Sequence, residues 1–357
     1  MSNTFSIKSK IVGSYSVNFI ENLNSAIAEN SANPNYIFVI DEKIKYLFKD
    51  DIESVLKKSR HIIITPSEKN KTLEYSKKII NKLITKGVRK SDVIVAIGGG
   101  ITQDLVAFIT SILFRGIEWI FYPTTLLAQC DSCIGSKSSI NFDKYKNLLG
   151  TFSPPKEIYI YSGFLETLSD SEIRSGIGEM LHYFLTEKSD LAARIEEDYE
   201  NLLLDRSLLP FYIRNSLRIK KSIIEIDEFD ENIRHIFNYG HTFGHAIESI
   251  TKYSIPHGQA VSIGIDLANY ISLNKNYISL IEFNMMHKIL IKNIPSFKID
   301  GKNIGKFIKA LSKDKKNKKN LLGCILAKEI GKVEKVFLEM NLDLENVILK
   351  YFVEYGK

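Results

Sequence analysis

The stretch "HIFNYGHTFGHAIES", from His235 to Ser249, sets His241 and His245 four residues apart, with Asn238 upstream and Glu248 downstream, in a chain with seven histidines. On a helix that spacing puts both imidazoles on one face. Such a pair suits a metal or proton transfer, and it equally suits a helix surface or two core histidines bonded to backbone. A second signal is "VIVAIGGGITQDLVAFITSILF", an apolar run entering Gly98, Gly99 and Gly100 and then a helical pattern. Glycines there let backbone approach a pyrophosphate, and the N–H groups at a helix start favour negative charge. Three glycines are not the G-x-G-x-x-G fingerprint, so a plain tight turn is the competing reading. Asp41, closing "YIFVID", stands where a strand-end carboxylate could take ribose hydroxyls. "CDSC", Cys130 to Cys133, has the spacing of a redox pair or half a zinc site, but no second cysteine pair completes it. These cysteines read as small filler residues.

The elements that must position these residues follow from hydrophobic period. In the first half, "YIFVI" from Tyr36, "HIIIT" from His61, "VIVAI" from Val93 and "EWIFY" from Glu118 alternate with amphipathic stretches such as "KTLEYSKKIINKLITKG" from Lys71. That is the rhythm of a parallel α/β sheet. From about Phe164 onward, "SEIRSGIGEMLHYFL", "LPFYIRNSLRIKKSIIEIDEF" and "HGQAVSIGIDLANYISL" carry helical spacing, so the second half is expected to be mainly helical. "SKDKKNKKN" from Ser312 reads as an exposed loop.

A chain of 357 residues, 44% apolar and 25% charged, is long enough for about two domains and a substantial core. The net charge of +6 is modest for that length and demands no nucleic-acid partner, although it suits anionic small molecules. Three cysteines, an odd number, make no disulfide framework and suit a reducing compartment. The start "MSNTFSIKSKIVG" lacks an apolar signal core, and no apolar run reaches the roughly 18 residues of a membrane span. A cytoplasmic, enzyme-sized protein without membrane attachment is expected.

The stretches "FRGIEWIFYPTTLLAQCDSCIGSKSSINFDKYKNLLGTFSPPKEIYI", "FLETLSDSEIRSGIGEMLHYFL", "KKSIIEIDEFDENIRHIFNYGHTFGHAIES" and "HGQAVSIGI", with the earlier "SEKNK" and "GGGITQDL", resemble the 3-dehydroquinate synthase family and its sugar phosphate cyclase relatives, in the right order across most of the chain. The resemblance implies an α/β plus all-α architecture: a Rossmann-like NAD-binding domain over residues 1–161, then an α-helical metal- and substrate-binding domain over 162–357. It implies NAD and a divalent metal, usually zinc, with Glu179, His241 and His257 as ligands. One carboxylate and two imidazoles leave coordination positions open, as a catalytic site requires. His245 then falls on the family's histidine at the phosphate end of the substrate. Lys137, Lys146, Asn147, Lys220, Arg234 and Asn238 fall on positions that grip an acidic sugar phosphate. Lys315 matches a phosphate-side lysine, and Arg115 a residue reaching a neighbouring subunit's site, which implies a homodimer. Asp131 matches a substrate-hydroxyl contact. Asp41, Glu68, Lys71 and Asp104, with Gly99, Gly100, Thr124 and Thr125, resemble the NAD contacts. Asp131, Lys137, His182, Lys220 and His245 are expected to act in catalysis.

The implied reaction converts 3-deoxy-D-arabino-heptulosonate 7-phosphate to 3-dehydroquinate. A secondary alcohol is transiently oxidised, phosphate is eliminated, the ketone is re-reduced, and the ring opens and closes by an aldol step, leaving the cofactor unchanged. Three positions depart from the family pattern: His182 stands where a lysine is usual, Ser136 breaks G-G-K, and Gln259 replaces the glutamate of H-G-E-A-V. They bear on substrate identity, so cyclases of sedoheptulose 7-phosphate or glucose 6-phosphate are the alternative. Further alternatives are a metal-dependent alcohol or glycerol dehydrogenase and a non-catalytic sugar-phosphate binder.

Overall fold

The computed structural model describes residues 3–356, apart from 144, 298, 300, 314–316, 319 and 320. Two compact units result: Met1–Leu168 with Lys221–Phe229, and Ser169–Lys220 with Asp230–Lys357.

The first unit is built on a seven-stranded sheet. Its strands are β1 (Thr4–Ser9), β2 (Gly13–Ile20), β3 (Tyr36–Asp41), β4 (Arg60–Ile64), β5 (Val93–Gly98), β6 (Trp119–Pro123) and, after the separate hairpin β7 (Lys137–Phe142) and β8 (Tyr145–Phe152), β9 (Glu157–Tyr161). The order is β1-β2-β9-β6-β5-β3-β4, antiparallel only between β1 and β2. All four apolar runs of the first half are strands, and β5, buried along its whole length, pairs on both sides. An uninterrupted apolar run is what a strand covered on both faces needs. The chain leaves β3 for β4 on one side and returns to β5 on the other. That reversal opens a crevice at the carboxyl ends of β3 and β5, where an open α/β sheet takes ligands. Asp41 closes β3, and Gly98 closes β5 just before the Gly100–Ile112 helix.

The second unit is mainly helical. Ser169 and Glu172 form a capping box that starts the Asp170–Phe184 helix. His241–Ile250 and His257–Asn274 follow, the latter buried at every position from Gly258 to Ser272, as a central helix must be. The expectation of helices omitted one hairpin, β10 (Leu321–Glu329) with β11 (Lys332–Glu339), whose run "LLGCILA" is buried from Leu322 to Ala327 and shows no alternation. Of the basic run from Ser312, residues 314–316, 319 and 320, Lys315 among them, lie outside the described residues. Among the described residues, no helix is long and apolar enough to cross a membrane.

Candidate functional site

In the second unit three helices bring Glu179, His241 and His257 together, with one ligand atom of each within 4.8 Å of the others. Glycines beside these ligands permit it. A Cβ on Gly178 would lie 2.0 Å from the Gly258 carbonyl oxygen, and one on Gly258 would lie 1.8 Å from that of Ser175. The Asp170–Phe184 and His257–Asn274 helices therefore touch backbone to backbone next to Glu179 and His257.

His257 Nε2 is 3.3 Å from Glu179 Oε1, and His241 Nε2 is 3.8 Å from Glu179 Oε2. Tetrahedral zinc, with bonds of about 2.1 Å, sets its ligand atoms about 3.4 Å apart, so the donor set and its spacing fit such an ion. The other nitrogens orient the rings. His241 Nδ1 lies 3.2 Å from the Tyr239 carbonyl oxygen, and His257 Nδ1 lies 3.2 Å from Glu248 Oε2. Each acceptor needs an N–H, which leaves the Nε2 lone pairs for a cation.

His245, exposed, is not a member of that trio; its ring lies 5.6 Å from that of His241 and 5.7 Å from that of His257. With Glu248 and His257 it forms a second close group. His182 is 1% exposed, its Nδ1 3.9 Å from Glu179 Oε2, and Phe237 meets its ring edge-on. Lys220 and Arg234 are each 6% exposed, unusual burial for cations. Asn238 ends the Ile233–Asn238 turn that leads into His241, and its amide donates to the His235 carbonyl oxygen.

In the first unit the expected nucleotide residues form a bonded set. Lys71 Nζ lies 2.7 Å from Asp104 Oδ2, while Asp104 Oδ1 accepts from Ser139 N. Desolvation raises the Asp104 carboxyl above its ordinary pKa despite the Lys71 ammonium. Glu68 accepts from Asn141 Nδ2 and sits 3.5 Å from Lys146 Nζ. Asn147, at φ +51°, donates its N–H to Asn141 Oδ1. Asn141 thus ties Glu68 to the β7–β8 hairpin that carries Lys137, Lys146 and Asn147. Asp41 caps the helix Glu42–Leu47 by accepting from Lys43 N, and burial pushes its carboxyl up.

The triple glycine divides its work. A Cβ on Gly98 would meet Thr102 Oγ1 at 2.3 Å and one on Gly99 would meet Thr125 Cγ2 at 2.9 Å, whereas Gly100 has only Ser132 Oγ at 3.8 Å. Gly99, the N-cap, has no side chain with which to cap the first N–H groups of the helix. Thr124 N donates to the Gly98 carbonyl oxygen, joining the ends of β5 and β6. Asp131 lies in a π-helical turn, Ala128–Ser132, braced by Gln103, which donates to the Ser132 carbonyl oxygen and accepts from Ser132 Oγ. Both neighbouring cysteines are buried and their thiols face backbone carbonyls, as filler residues would. Arg115 stands apart, exposed after the Gly100–Ile112 helix and so about 20 Å from Gly100 by helix length.

Sequence reasoning missed Glu248, Asn141, Gln103 and Glu228, a buried carboxylate bonded to Ser9 and Ser136. Only Glu248 left a trace, three residues beyond His245 on the same helical face. The other three act across long separations that no local pattern records.

Residues 61–175 match the family described as 3-dehydroquinate synthase N-terminal, and residues 176–317 that described as 3-dehydroquinate synthase C-terminal. The chain is 37% identical over 320 residues to a 3-dehydroquinate synthase of Clostridium tetani, covering 87% of this chain and 83% of that protein. With that of Dictyoglomus thermophilum the identity is 38% over 333 residues, 91% of each. Among solved structures, 2-deoxy-scyllo-inosose synthase complexed with carbaglucose-6-phosphate, NAD+ and Co2+ shares the fold, with TM-score 0.86 at 24% identity over 97% of this chain and 99% of that one.

Proposed function

The chain belongs to the 3-dehydroquinate synthase family, and from that premise we propose that it is a phosphate-eliminating cyclase converting 3-deoxy-D-arabino-heptulosonate 7-phosphate to 3-dehydroquinate. The observation that carries the reading is the convergence of Glu179, His241 and His257 with His245 beside them, a metal-type trio next to an exposed imidazole outside it. The cofactors are NAD and a divalent metal. When bound they supply reversible oxidation of a secondary alcohol and polarisation of its oxygen.

The chain's own residues then bind, orient and move protons. Glu179, His241 and His257 hold the cation, with Glu248 and the Tyr239 carbonyl keeping the imidazoles in the ligand tautomer. Arg234 and Lys220 hold the substrate carboxylate, Arg by a bidentate fork. Lys137, Lys146, Asn147, Asn238 and Lys315 take the remaining oxygens, and Asp131 takes a hydroxyl. His245 exchanges a proton at the phosphate end, where elimination needs one. Lys71, Asp104, Glu68 and Asp41 line the nucleotide, with Gly99, Gly100, Thr124 and Thr125 giving the backbone approach. In this division nucleotide binding falls to residues 1–161 and metal and substrate chemistry to 162–357. The protein acts in the cytoplasm as a homodimer in which Arg115, away from its own unit's nucleotide residues, serves the partner.

The test is phosphate release from heptulosonate 7-phosphate with catalytic NAD and Zn2+. Many phosphates per NAD with no accumulating NADH is the expected result; NADH rising in step with product would mark a dehydrogenase, and neither signal a binder. His182 favours one second reading. Buried against Glu179 where relatives place a lysine, it offers substrate a shorter and differently charged group. Rapid cyclisation of sedoheptulose 7-phosphate, with the heptulosonate ignored, would replace the first reading by that one.

A further inference from the structure

Ser136 occupies φ +65°, the left-handed region in which a β-carbon is crowded. Such a residue needs an outside restraint or a glycine. Ser136 is 5% exposed and its hydroxyl donates to Glu228 Oε1. Glu228, 3% exposed, also accepts from Ser9 Oγ at 2.8 Å and from the backbone N–H of Lys10 at 2.7 Å. One buried carboxylate therefore joins the end of β1, the turn before β7 and the Lys221–Phe229 segment.

The turn is tied on its other sides as well. Gly135 N donates to Tyr15 Oη at 3.1 Å, Ser153 N to the Ser136 carbonyl oxygen at 2.7 Å, and Lys137 N to that of Gly135 at 2.8 Å. Lys137 follows at once as the exposed first residue of β7. Its side chain departs in whatever direction the dihedrals of residue 136 dictate, and those are the dihedrals Glu228 holds.

We infer that Glu228 is a positioning residue for the substrate-side Lys137, holding the Gly135–Lys137 turn left-handed through the Ser136 hydroxyl. The inference rests on the proposed function insofar as Lys137 grips substrate. Four variants test it: Glu228→Ala, Ser136→Ala, Ser136→Gly, and Glu228→Ala combined with Ser136→Gly. Glu228→Ala should lower kcat/KM for heptulosonate 7-phosphate about tenfold or more, chiefly through KM, because a displaced substrate contact weakens binding before chemistry. Ser136→Gly alone should stay near wild type, since glycine takes positive φ without help. Combined with Glu228→Ala it should restore most of the loss, which a merely structural role for Glu228 would not allow.

Amide hydrogen exchange at residues 135–137 and at Ser153 reports the turn independently of turnover. It should quicken in Glu228→Ala and slow again in the double variant. If Glu228→Ala does not fold, Ser136→Ala takes its place: it keeps the β-carbon at positive φ and removes the hydroxyl that Glu228 holds, so exchange at residues 135–137 should quicken there and not in Ser136→Gly, and equal exchange in the two overturns the inference. Lys137→Ala separates the two readings. Wild-type kinetics there would remove Lys137 from the proposed function while leaving the exchange arm intact. A double variant no better than its Glu228 parent, in rate and in exchange, overturns the inference.

Discussion

His245 follows His241 by one helical turn, yet only His241 lies against Glu179, and the tasks proposed for the two imidazoles differ accordingly. Replacing Glu179, His241 or His257 with Ala should lower metal content measured after gel filtration. His245→Ala should keep the metal and lose turnover by about 10²-fold or more, the scale of a lost proton donor or acceptor. Depletion in His245→Ala with a replete His241→Ala would reverse the assignment. Glu248→Gln tests the carboxylate behind His257, 3.2 Å from its Nδ1. Its loss should weaken metal affinity about 10–100-fold in competition with a chelator; unchanged affinity would make Glu248 an ordinary surface partner. For Asp104 the raised pKa has a definite sign. A carboxyl whose folded pKa exceeds its unfolded value contributes stability that is full below the unfolded value and lost as pH rises through the folded one. Asp104→Asn, which stays neutral, should therefore gain in Tm relative to wild type as the pH rises above the ordinary carboxylate range without ligand. A constant difference over that rise would contradict the direction of the shift.

At the scale of elements, the metal trio depends on helices meeting without side chains between them. Gly178→Ala or Gly258→Ala forces a methyl into a carbonyl oxygen at 2.0 or 1.8 Å, so the helices must separate. The expected cost is about 1–3 kcal/mol of stability, with a fall in metal content at temperatures where the fold survives. Melting curves and metal analysis on the same samples check both; a variant with wild-type metal content would show that the ligands do not need this contact. The end of β5 depends likewise on missing β-carbons, which here admit side chains: Gly98 admits Thr102, and Gly99 admits Thr125, so two of the three glycines are packing residues.

For the whole molecule, metal removal is the broadest test. Dialysis against a chelator should abolish phosphate release and lower Tm, because an ion that binds only the folded chain stabilises it by mass action. Zn2+ or Co2+ should restore both. Activity that survives complete removal would take the trio out of the reaction.

What the sequence by itself determined is what period and composition carry. The four strand runs from Tyr36 to Tyr122 became neighbouring strands because an apolar run of that length has one stable use in an α/β protein. The helices bearing Glu179 and His257 were legible from apolar spacing, and the motif resemblance named those residues and His241. What only the tertiary structure decided is contact across the chain. The pairing of Glu248 with His257 and the bridge from Asn141 to Glu68 join residues by distance rather than order, and so does the hold of Glu228 on Ser136. Hydrophobic pattern specifies which face of an element is buried. A hydrogen bond needs a particular atom opposite another, and that is settled only when the faces have packed.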